Sequence, residues 1–342
     1  MFGRDKPAFR SPAKILEDLA KLGEQGVYSV FLFQDPTMGG RKYWKELLCA
    51  LKSDKSDLSE IVLELFEPPP SEFLEGLSSL RERIRLTISP ESGVDSVRKA
   101  HGRTYTNEEI LSTSRLCMKL GLRLTAFFMI GLAEETYETV EQTSRLWEQF
   151  YAMRCGEPQG GGGAVKHAVG SMILLDPGSL AFDHPEKYGY KLLFKNLRDY
   201  ISGMLMPSWH QWVSYETRWL SRKDIATLTL HALTESILVR EKYGLYSIPS
   251  LREKHGLVST PELPELPAEL YFTITHLSRI IIDEVDRAMQ LSDATERQNR
   301  LRGLNEALKI DAWQTASGDP YEYKLAIWTA LHKAVGLLDA SS

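Results

Sequence analysis

Acidic and small polar residues recur where apolar, strand-like stretches of this sequence end: Asp35, then Glu64 and Glu67, then Ser89, Glu91 and Ser92, then Gly131 and Glu135, and last Asp176-Pro177-Gly178-Ser179. A carboxylate in such a place can hold ribose hydroxyls or an ammonium group, because it offers two acceptor oxygens and a negative charge. Taken singly, each also fits turn and helix-cap chemistry, since Ser and Asp cap helices and Gly permits tight turns. Glu91 stands apart, because Pro90 and Gly93 already make the turn and no carboxylate is needed for it. Gly131, directly behind an apolar strand, would let a flat ligand approach the backbone. Together these residues point to a site for something nucleoside-like.

The elements that must position them alternate two periodicities from Ser11 to Met172, the pattern of successive βα units and a mainly parallel sheet. Ser11-Pro12 caps a helix bearing Ile15, Leu16, Leu19 and Leu22, and Gly23 and Gly26 end it. Strands are predicted at Val27 to Phe33, Ile61 to Phe66, Ile84 to Ile88, Arg123 to Ile130 and Val165 to Leu175. Helices fall between them, one around Tyr43 to Leu51, one holding Phe73, Leu74 and Leu77, one opened by the capping box of Thr106 and Glu109, and one from Thr136 to Tyr151. On folds of this kind ligands bind beyond the carboxyl ends of the strands.

Composition sets the outer bounds. The 342 residues carry 41 Lys+Arg against 46 Asp+Glu, a formal charge of −5, and are 43% hydrophobic. A collagen, a disulfide scaffold and a disordered tail are excluded. The longest apolar runs fall far short of the ~20 residues that span a bilayer, no signal-peptide core opens the chain, and a cytosolic protein with no membrane partner is expected. The charge balance gives no footprint for nucleic acid. The 3 cysteines, Cys49, Cys117 and Cys155, lie tens of residues apart, so no two form a short metal-binding or redox pair. Cys49 and Cys117 fall in helical patterns and are expected as reduced, mostly buried small hydrophobes.

Ser89-Pro90-Glu91-Ser92-Gly93, Lys99-Ala100-His101-Gly102-Arg103, Tyr105 to Ile110, and Phe127 to Leu132 with Glu135-Thr136 resemble radical S-adenosylmethionine proteins, most nearly the subgroup with a cobalamin-binding domain. Leu175 to Ser179 and Pro185 to Tyr190 are similar to the segment behind the last core strand of that subgroup, so the resemblance covers residues 11 to 190. It implies an α/β fold, a partial six-stranded (β/α) TIM-like barrel, with S-adenosylmethionine and a 4Fe-4S cluster at the strand ends. By the same resemblance Glu91 and Ser92 match the polar pair after the fourth barrel strand, Arg103 lies where the ligand carboxylate would be met, and Ile130 and Gly131 match the adenine-binding strand end. Asp35 stands where many members carry Gly-Gly-Glu, and Glu64 and Ser89 share the rim. The usual Gly-Leu-Pro-Gly-Glu-Thr reads Gly131-Leu132-Ala133-Glu134-Glu135-Thr136, which changes the turn and keeps Glu135.

The departure concerns the cluster. Members supply three thiolates from a Cys-x3-Cys-x2-Cys loop after the first barrel strand, and this chain contains no such triplet. The five strands map onto the second to sixth of the barrel, and both the first strand and the preceding cobalamin domain are missing. The expectation is therefore the carboxyl-terminal catalytic portion of a cobalamin-type radical enzyme, acting on a small molecule and completed by an upstream segment or separate chain that carries cluster and cobalamin. On that expectation it is inactive alone. The competing reading is a degenerate, cluster-less protein that binds a ligand or partner.

Residues 1–190 are expected as the partial barrel and 191–342 as a mainly helical extension. Helices are predicted at Leu192 to Met204, Ser221 to Tyr243, Ala268 to Leu291, Thr295 to Ile310 and Pro320 to Leu338, with a Pro-rich linker from Pro249 to Pro267. Trp209, Trp212, Tyr215 and Trp219, with His210 among them, read either as core or as the wall of a ligand site. The remaining histidines show no metal-ligand spacing.

Overall fold

The computed structural model describes residues 8–155, 164–171, 174–244 and 268–308. The chain divides into two compact units: Met1–Met129 with Tyr137–Gly170, and Ile130–Thr136 with Ser171–Ser342.

The first unit alternates strands and helices: α1 (Pro12–Glu24), β1 (Ser29–Leu32), α2 (Gly40–Ser53), β2 (Glu60–Leu65), α3 (Ser71–Leu77), β3 (Ile84–Glu91), α4 (Asp95–Ala100), α5 (Asn107–Lys119), β4 (Arg123–Ile130), α6 (Tyr137–Cys155) and β5 (Ala164–Ser171). The caps are those the sequence predicts. The Ser11 hydroxyl accepts from Lys14 N ahead of Pro12, and Thr106 and Glu109 close a reciprocal capping box on α5. The sheet order is β1-β2-β3-β4-β5, with β1 to β4 parallel. An order without reversal, wound with the usual right-handed crossovers, puts all the connecting helices on one face. This is the open α/β sheet of a partial (β/α) barrel.

Register decides which side chains meet which layer. Leu32, Leu63, Leu86 and Leu124 form one row and Leu65, Ile88 and Ala126 the next. Phe128, two residues on, meets the rings of Trp147 and Phe150 on α6, so this is the helix-covered face. Glu64, Thr87 and Thr125 form a row on the opposite face. Side chains alternate across a strand, so a one-residue slip would bury this polar row among leucines.

The second unit holds α7 (Leu180–Asp183), β6 (Tyr190–Leu192), α8 (Leu197–Met204), β7 (Tyr215–Thr217), α9 (Arg222–Lys242), α10 (Ala268–Gln290) and α11 (Ala294–Leu308). Three expectations are corrected here. Leu192 does not open a helix but ends β6, which pairs antiparallel with β7, and α8 starts at Leu197 behind the Asn196 cap. Tyr190, Leu192, Tyr215 and Thr217 alternate across this short ribbon, too briefly for its two-residue period to stand out against helical neighbours. The fifth strand ends at Ser171, before Leu175. Cys49 is exposed, against expectation, because its position on α2 lies off the stripe of Trp44, Leu47, Leu48 and Leu51; Cys117 is buried as expected. The Pro249 to Pro267 linker, Pro320 to Leu338 and Cys155's side chain lie outside the described residues.

The turn behind β3 is organised by Arg98, whose side chain is fully buried. Its guanidinium donates to the carbonyls of Ser92 (2.7 Å) and Tyr105 (2.9 Å) and to Asn107 Oδ1 (2.8 Å), and pairs with Asp95. Asn107 Nδ2 in turn donates to the Gly93 carbonyl at 2.9 Å. A Cβ on Gly93 would sit 2.7 Å from Thr143 Cα of α6, so only glycine lets the turn approach that closely. Replacing Arg98 by Met strands two carbonyls and the Asn107 amide oxygen; a loss of about 2 to 5 kcal/mol is expected in urea denaturation, since each buried unsatisfied group costs roughly 1 to 3 kcal/mol.

Candidate ligand site

Within the first unit the residues singled out from the sequence separate into those engaged by the protein and those left open. Asp35 is fully buried at the end of β1, and both of its oxygens are engaged. Oδ1 accepts from the Thr37 amide (2.8 Å) and hydroxyl (2.7 Å), and Oδ2 accepts from Phe66 N at 2.8 Å, fastening the end of β1 to the end of β2. Ser92 is likewise buried. Its hydroxyl accepts from Val94 N at 3.1 Å and lies 3.4 Å from the Thr143 hydroxyl, which in turn accepts from Gly93 N. Both side chains are used in holding turns.

Glu64, Ser89, Glu91 and Arg103 come together. The register shift between Ile88 and Glu91 bends the end of β3, and Glu91 takes the left-handed conformation at φ 68°. That conformation is uncommon outside glycine and costs of order 1 to 3 kcal/mol, and such strain clusters at functional sites. Glu91 Oε1 accepts from Arg103 Nη2 at 3.1 Å. Ser89 Oγ lies 3.5 Å from Glu64 Oε1, and Tyr105 donates its hydroxyl to the Ser89 carbonyl at 3.2 Å. The guanidinium of Arg103 stacks over the Phe66 ring, 5.3 Å from its centroid. Glu91 Oε2 and Arg103 Nε are buried without hydrogen-bond partners among the described residues.

Burial raises the affinity of both carboxylates for protons above the ordinary range. For Glu91 the Arg103 bond and charge oppose this and the Glu64 charge adds to it; for Glu64 the Ser89 bond and Arg103 oppose it and Asp35 adds to it. Two carboxylates thus face one guanidinium, and an incoming cation relieves their mutual repulsion. Tyr105, pushed up to about 12 by burial, stays a neutral hydroxyl.

In the second unit Ile130, Gly131 and Glu135 belong to one loop. Glu135 Oε2 accepts from Gly131 N (2.6 Å) and Leu132 N (3.3 Å), and burial pushes its carboxyl up to about 8. Gly131, at φ 100°, leaves no room for a side chain: a Cβ would lie 2.4 Å from Tyr215 Oη, which donates to the Gly131 carbonyl at 2.9 Å. The Ala133 amide donates to Tyr190 Oη at 3.1 Å, and Tyr190 packs edge-on against Tyr215. Ile130 is fully buried. Glu134 adopts φ 65° where the resembling family carries glycine. The aromatic group read from the sequence divides: Trp209 packs on Ala226, Leu230 and Ile282, Tyr215 serves the loop, and Trp212 and Trp219 are partly exposed.

Arg98, Thr143 and Tyr190 were not expected as site-building residues, and Tyr215 was read only as core or as a ligand-site wall. An arginine in a short helix reads as a solvated charge, and nothing in the sequence signals that Tyr190 and Tyr215 reach back to residues 131–133. Among the described residues no three His, Cys, Asp or Glu side chains could hold a metal ion. The Cys117 thiol is pushed up to about 12 by burial and is not a thiolate ligand. The described residues therefore do not fit a 4Fe-4S cluster. No described helix is long and apolar enough to cross a membrane.

Residues 2–146 match the family model described as the Radical SAM superfamily, so the first part of this chain is radical-SAM-like, as residues 89 to 136 imply. Solved structures that the chain matches include the cobalamin-dependent S-adenosylmethionine radical enzyme OxsB (11% identity, TM-score 0.44, 98% of this chain and 52% of that one). Another is the radical S-adenosylmethionine methyltransferase TsrM from Kitasatospora setae, with cobalamin and a [4Fe-4S] cluster bound (14%, 0.43, 87% and 56%). A third is coproporphyrinogen III oxidase HemN from Escherichia coli (14%, 0.34, 76% and 81%). The chain spans about half the length of the first two. No curated protein matches it.

Two outcomes are expected for the loop. Glu134→Gly removes a left-handed side chain and is expected to stabilise the protein by about 1 kcal/mol in thermal unfolding. Glu135 keeps its proton in the folded chain between its ordinary range and about 8, while the unfolded chain has lost it, so its contribution to stability falls as pH rises through that window. Glu135→Gln removes this slope and keeps an acceptor for both amides, whereas Glu135→Ala lowers the melting temperature at every pH.

Proposed function

We propose that this chain is the carboxyl-terminal portion of a cobalamin-type radical S-adenosylmethionine enzyme and binds the amino-acid end of S-adenosylmethionine at Glu64, Ser89, Glu91 and Arg103. The observation that carries this reading is the pair of unsatisfied groups flanking the Glu91–Arg103 ion pair, an acceptor at Glu91 Oε2 and a donor at Arg103 Nε. Native proteins rarely bury unpaired polar atoms, and a donor beside an acceptor is complementary to a ligand with one ammonium and one carboxylate. Glu64 adds a second negative charge for an ammonium or sulfonium cation.

S-Adenosylmethionine, when bound, supplies an activated sulfonium. The cluster and cobalamin that the family uses have no ligands among the described residues, so on this reading they belong to an upstream segment or a separate chain. In this chain Arg103 and Glu91 orient the amino-acid end, Tyr105 fixes Ser89, and Arg98 holds the turn that presents all of them.

The second reading, a cluster-less ligand-binding module, is favoured by the mismatch between cysteines and cluster. Equilibrium dialysis of the purified chain with S-adenosylmethionine tests both. Glu91→Gln is expected to weaken binding at least about tenfold, since a bond to a charged group is worth roughly 1.5 to 3 kcal/mol. Methionine is expected to compete, engaging the same pair. An unchanged dissociation constant in Glu91→Gln overturns the site. Binding that a supplied Cys-x3-Cys-x2-Cys segment with its cluster leaves unimproved favours the module.

A further inference from the structure

We propose that His210 is a proton-operated switch, whose ring holds the Gln211 amide when neutral and Asp286 when charged. The ring is buried in the short turn Trp209–Trp212 of the second unit. Nδ1 lies 2.7 Å from Ser208 Oγ, and Nε2 faces two groups at once, Gln211 Nε2 at 2.9 Å and Asp286 Oδ1 of α10 at 3.1 Å. Arg222 of α9 sets the orientation of Gln211. A guanidinium only donates, and Arg222 Nη1 donates to Gln211 Oε1, so the amide hydrogens of Gln211 are turned to His210. An amide nitrogen donates and a carboxylate accepts, so a single ring nitrogen cannot satisfy both. A bare Nε2 accepts from Gln211 and turns a lone pair to Asp286; a protonated Nε2 donates to Asp286 and turns its hydrogen to the Gln211 amide. Asp286 has a second partner, Lys223 Nζ at 3.1 Å, and its side chain is 21% exposed, whereas Gln211 is buried. Stranding the buried amide costs more, so the neutral ring keeps its proton on Nδ1, toward Ser208, and accepts from Gln211.

The surroundings set the direction of the exchange. Burial pushes His210 below the ordinary histidine range; Asp286 of α10 opposes this, and Arg222 and Lys223 of α9 add to it. The other charges near the turn are engaged: Asp283 shares Lys223 at 3.0 Å, and Glu284 pairs with Arg287 and Arg300. α8 approaches through Gly203, where a Cβ would meet the Gln211 carbonyl at 3.2 Å. The ring is therefore neutral at neutral pH and takes its second proton in acid. Trp209 of the same turn packs on Ala226 and Leu230 of α9 and on Ile282 of α10. One proton thus moves a tie of this turn from α9, through Gln211 and Arg222, to Asp286 of α10, at the place where the turn joins both helices.

Nuclear magnetic resonance of the full chain with ¹⁵N-labelled histidine and glutamine reads the switch directly, because a bare ring nitrogen and a protonated one resonate far apart. His210→Gln identifies the ring's signals among the 8 histidines. At pH 7.5 the proposal expects a bare Nε2 and a protonated Nδ1. On acidification both nitrogens become protonated, below the ordinary histidine range, and the Gln211 side-chain amide shifts with the same midpoint. Asp286→Asn removes the carboxylate that favours the charged ring and is expected to lower its proton affinity about tenfold, since a bond to a charged group is worth that much. Lys223→Gln removes the cation that competes for Asp286 and is expected to move the midpoint the other way. A protonated Nε2 at pH 7.5 overturns the proposal. So does a Gln211 amide that stays unchanged while the ring titrates, or a midpoint that Asp286→Asn leaves in place. Should Asp286→Asn lose its circular-dichroism signal, the half-exposed Lys223→Gln makes the comparison alone, and an unmoved midpoint there overturns the proposal equally.

Discussion

The first unit depends on one buried guanidinium. Arg98 gathers the carbonyls of Ser92 and Tyr105 and the side chains of Asn107 and Asp95, so the turn behind β3 and the start of α5 are held by one side chain. A buried charge is expensive unless each of its donors is satisfied, which makes the arrangement intolerant of alternatives. That intolerance is what allows Glu91 to sit in a left-handed conformation, because the surrounding bonds over-determine its backbone. The open acceptor on Glu91 and the open donor on Arg103 are thus presented from a turn that is rigid before any ligand arrives, and preorganisation of this kind lowers the ordering cost of binding.

The loop from Gly131 to Thr136 is governed by a different constraint, close approach. The Tyr215 hydroxyl occupies the space a side chain at residue 131 would need, and Glu135 satisfies two amides that the turn would otherwise bury unpaired. Burial keeps the Glu135 carboxyl protonated at neutral pH, so the acceptor that closes the loop carries no charge. Glu134 in the same loop turns left-handed, a conformation that glycine would adopt at lower cost.

Much of this was legible in the residues. The βα alternation, the caps at Ser11 and Thr106, the five strands in order and the acidic rim arise from periodicity and capping chemistry, which are local properties. The β6–β7 ribbon was not legible, because three-residue strands fall below the length at which alternation is distinguishable. Among the site residues, Glu64, Ser89, Glu91 and Arg103 could be named from position, but Asp35 and Ser92 have the same types and strand-end placement and are spent inside the protein. Nothing local separates a carboxylate that caps a turn from one that waits for a ligand, since the difference lies in which amides lie within hydrogen-bond reach.

The sequence by itself determined the fold class, the order of elements, the radical-SAM-like character of the first part and the lack of a closely spaced cysteine triplet. Tertiary structure decided which acidic residues remain open, that Arg98 builds the turn presenting them, that Tyr190 and Tyr215 brace the glycine loop, and that Gln211 and Asp286 face one nitrogen of His210. The physical reason is range. Helix periods, caps and strand alternation act over a few residues along the chain, whereas burial and hydrogen-bond satisfaction join residues such as Gly131 and Tyr215 that only folding brings together.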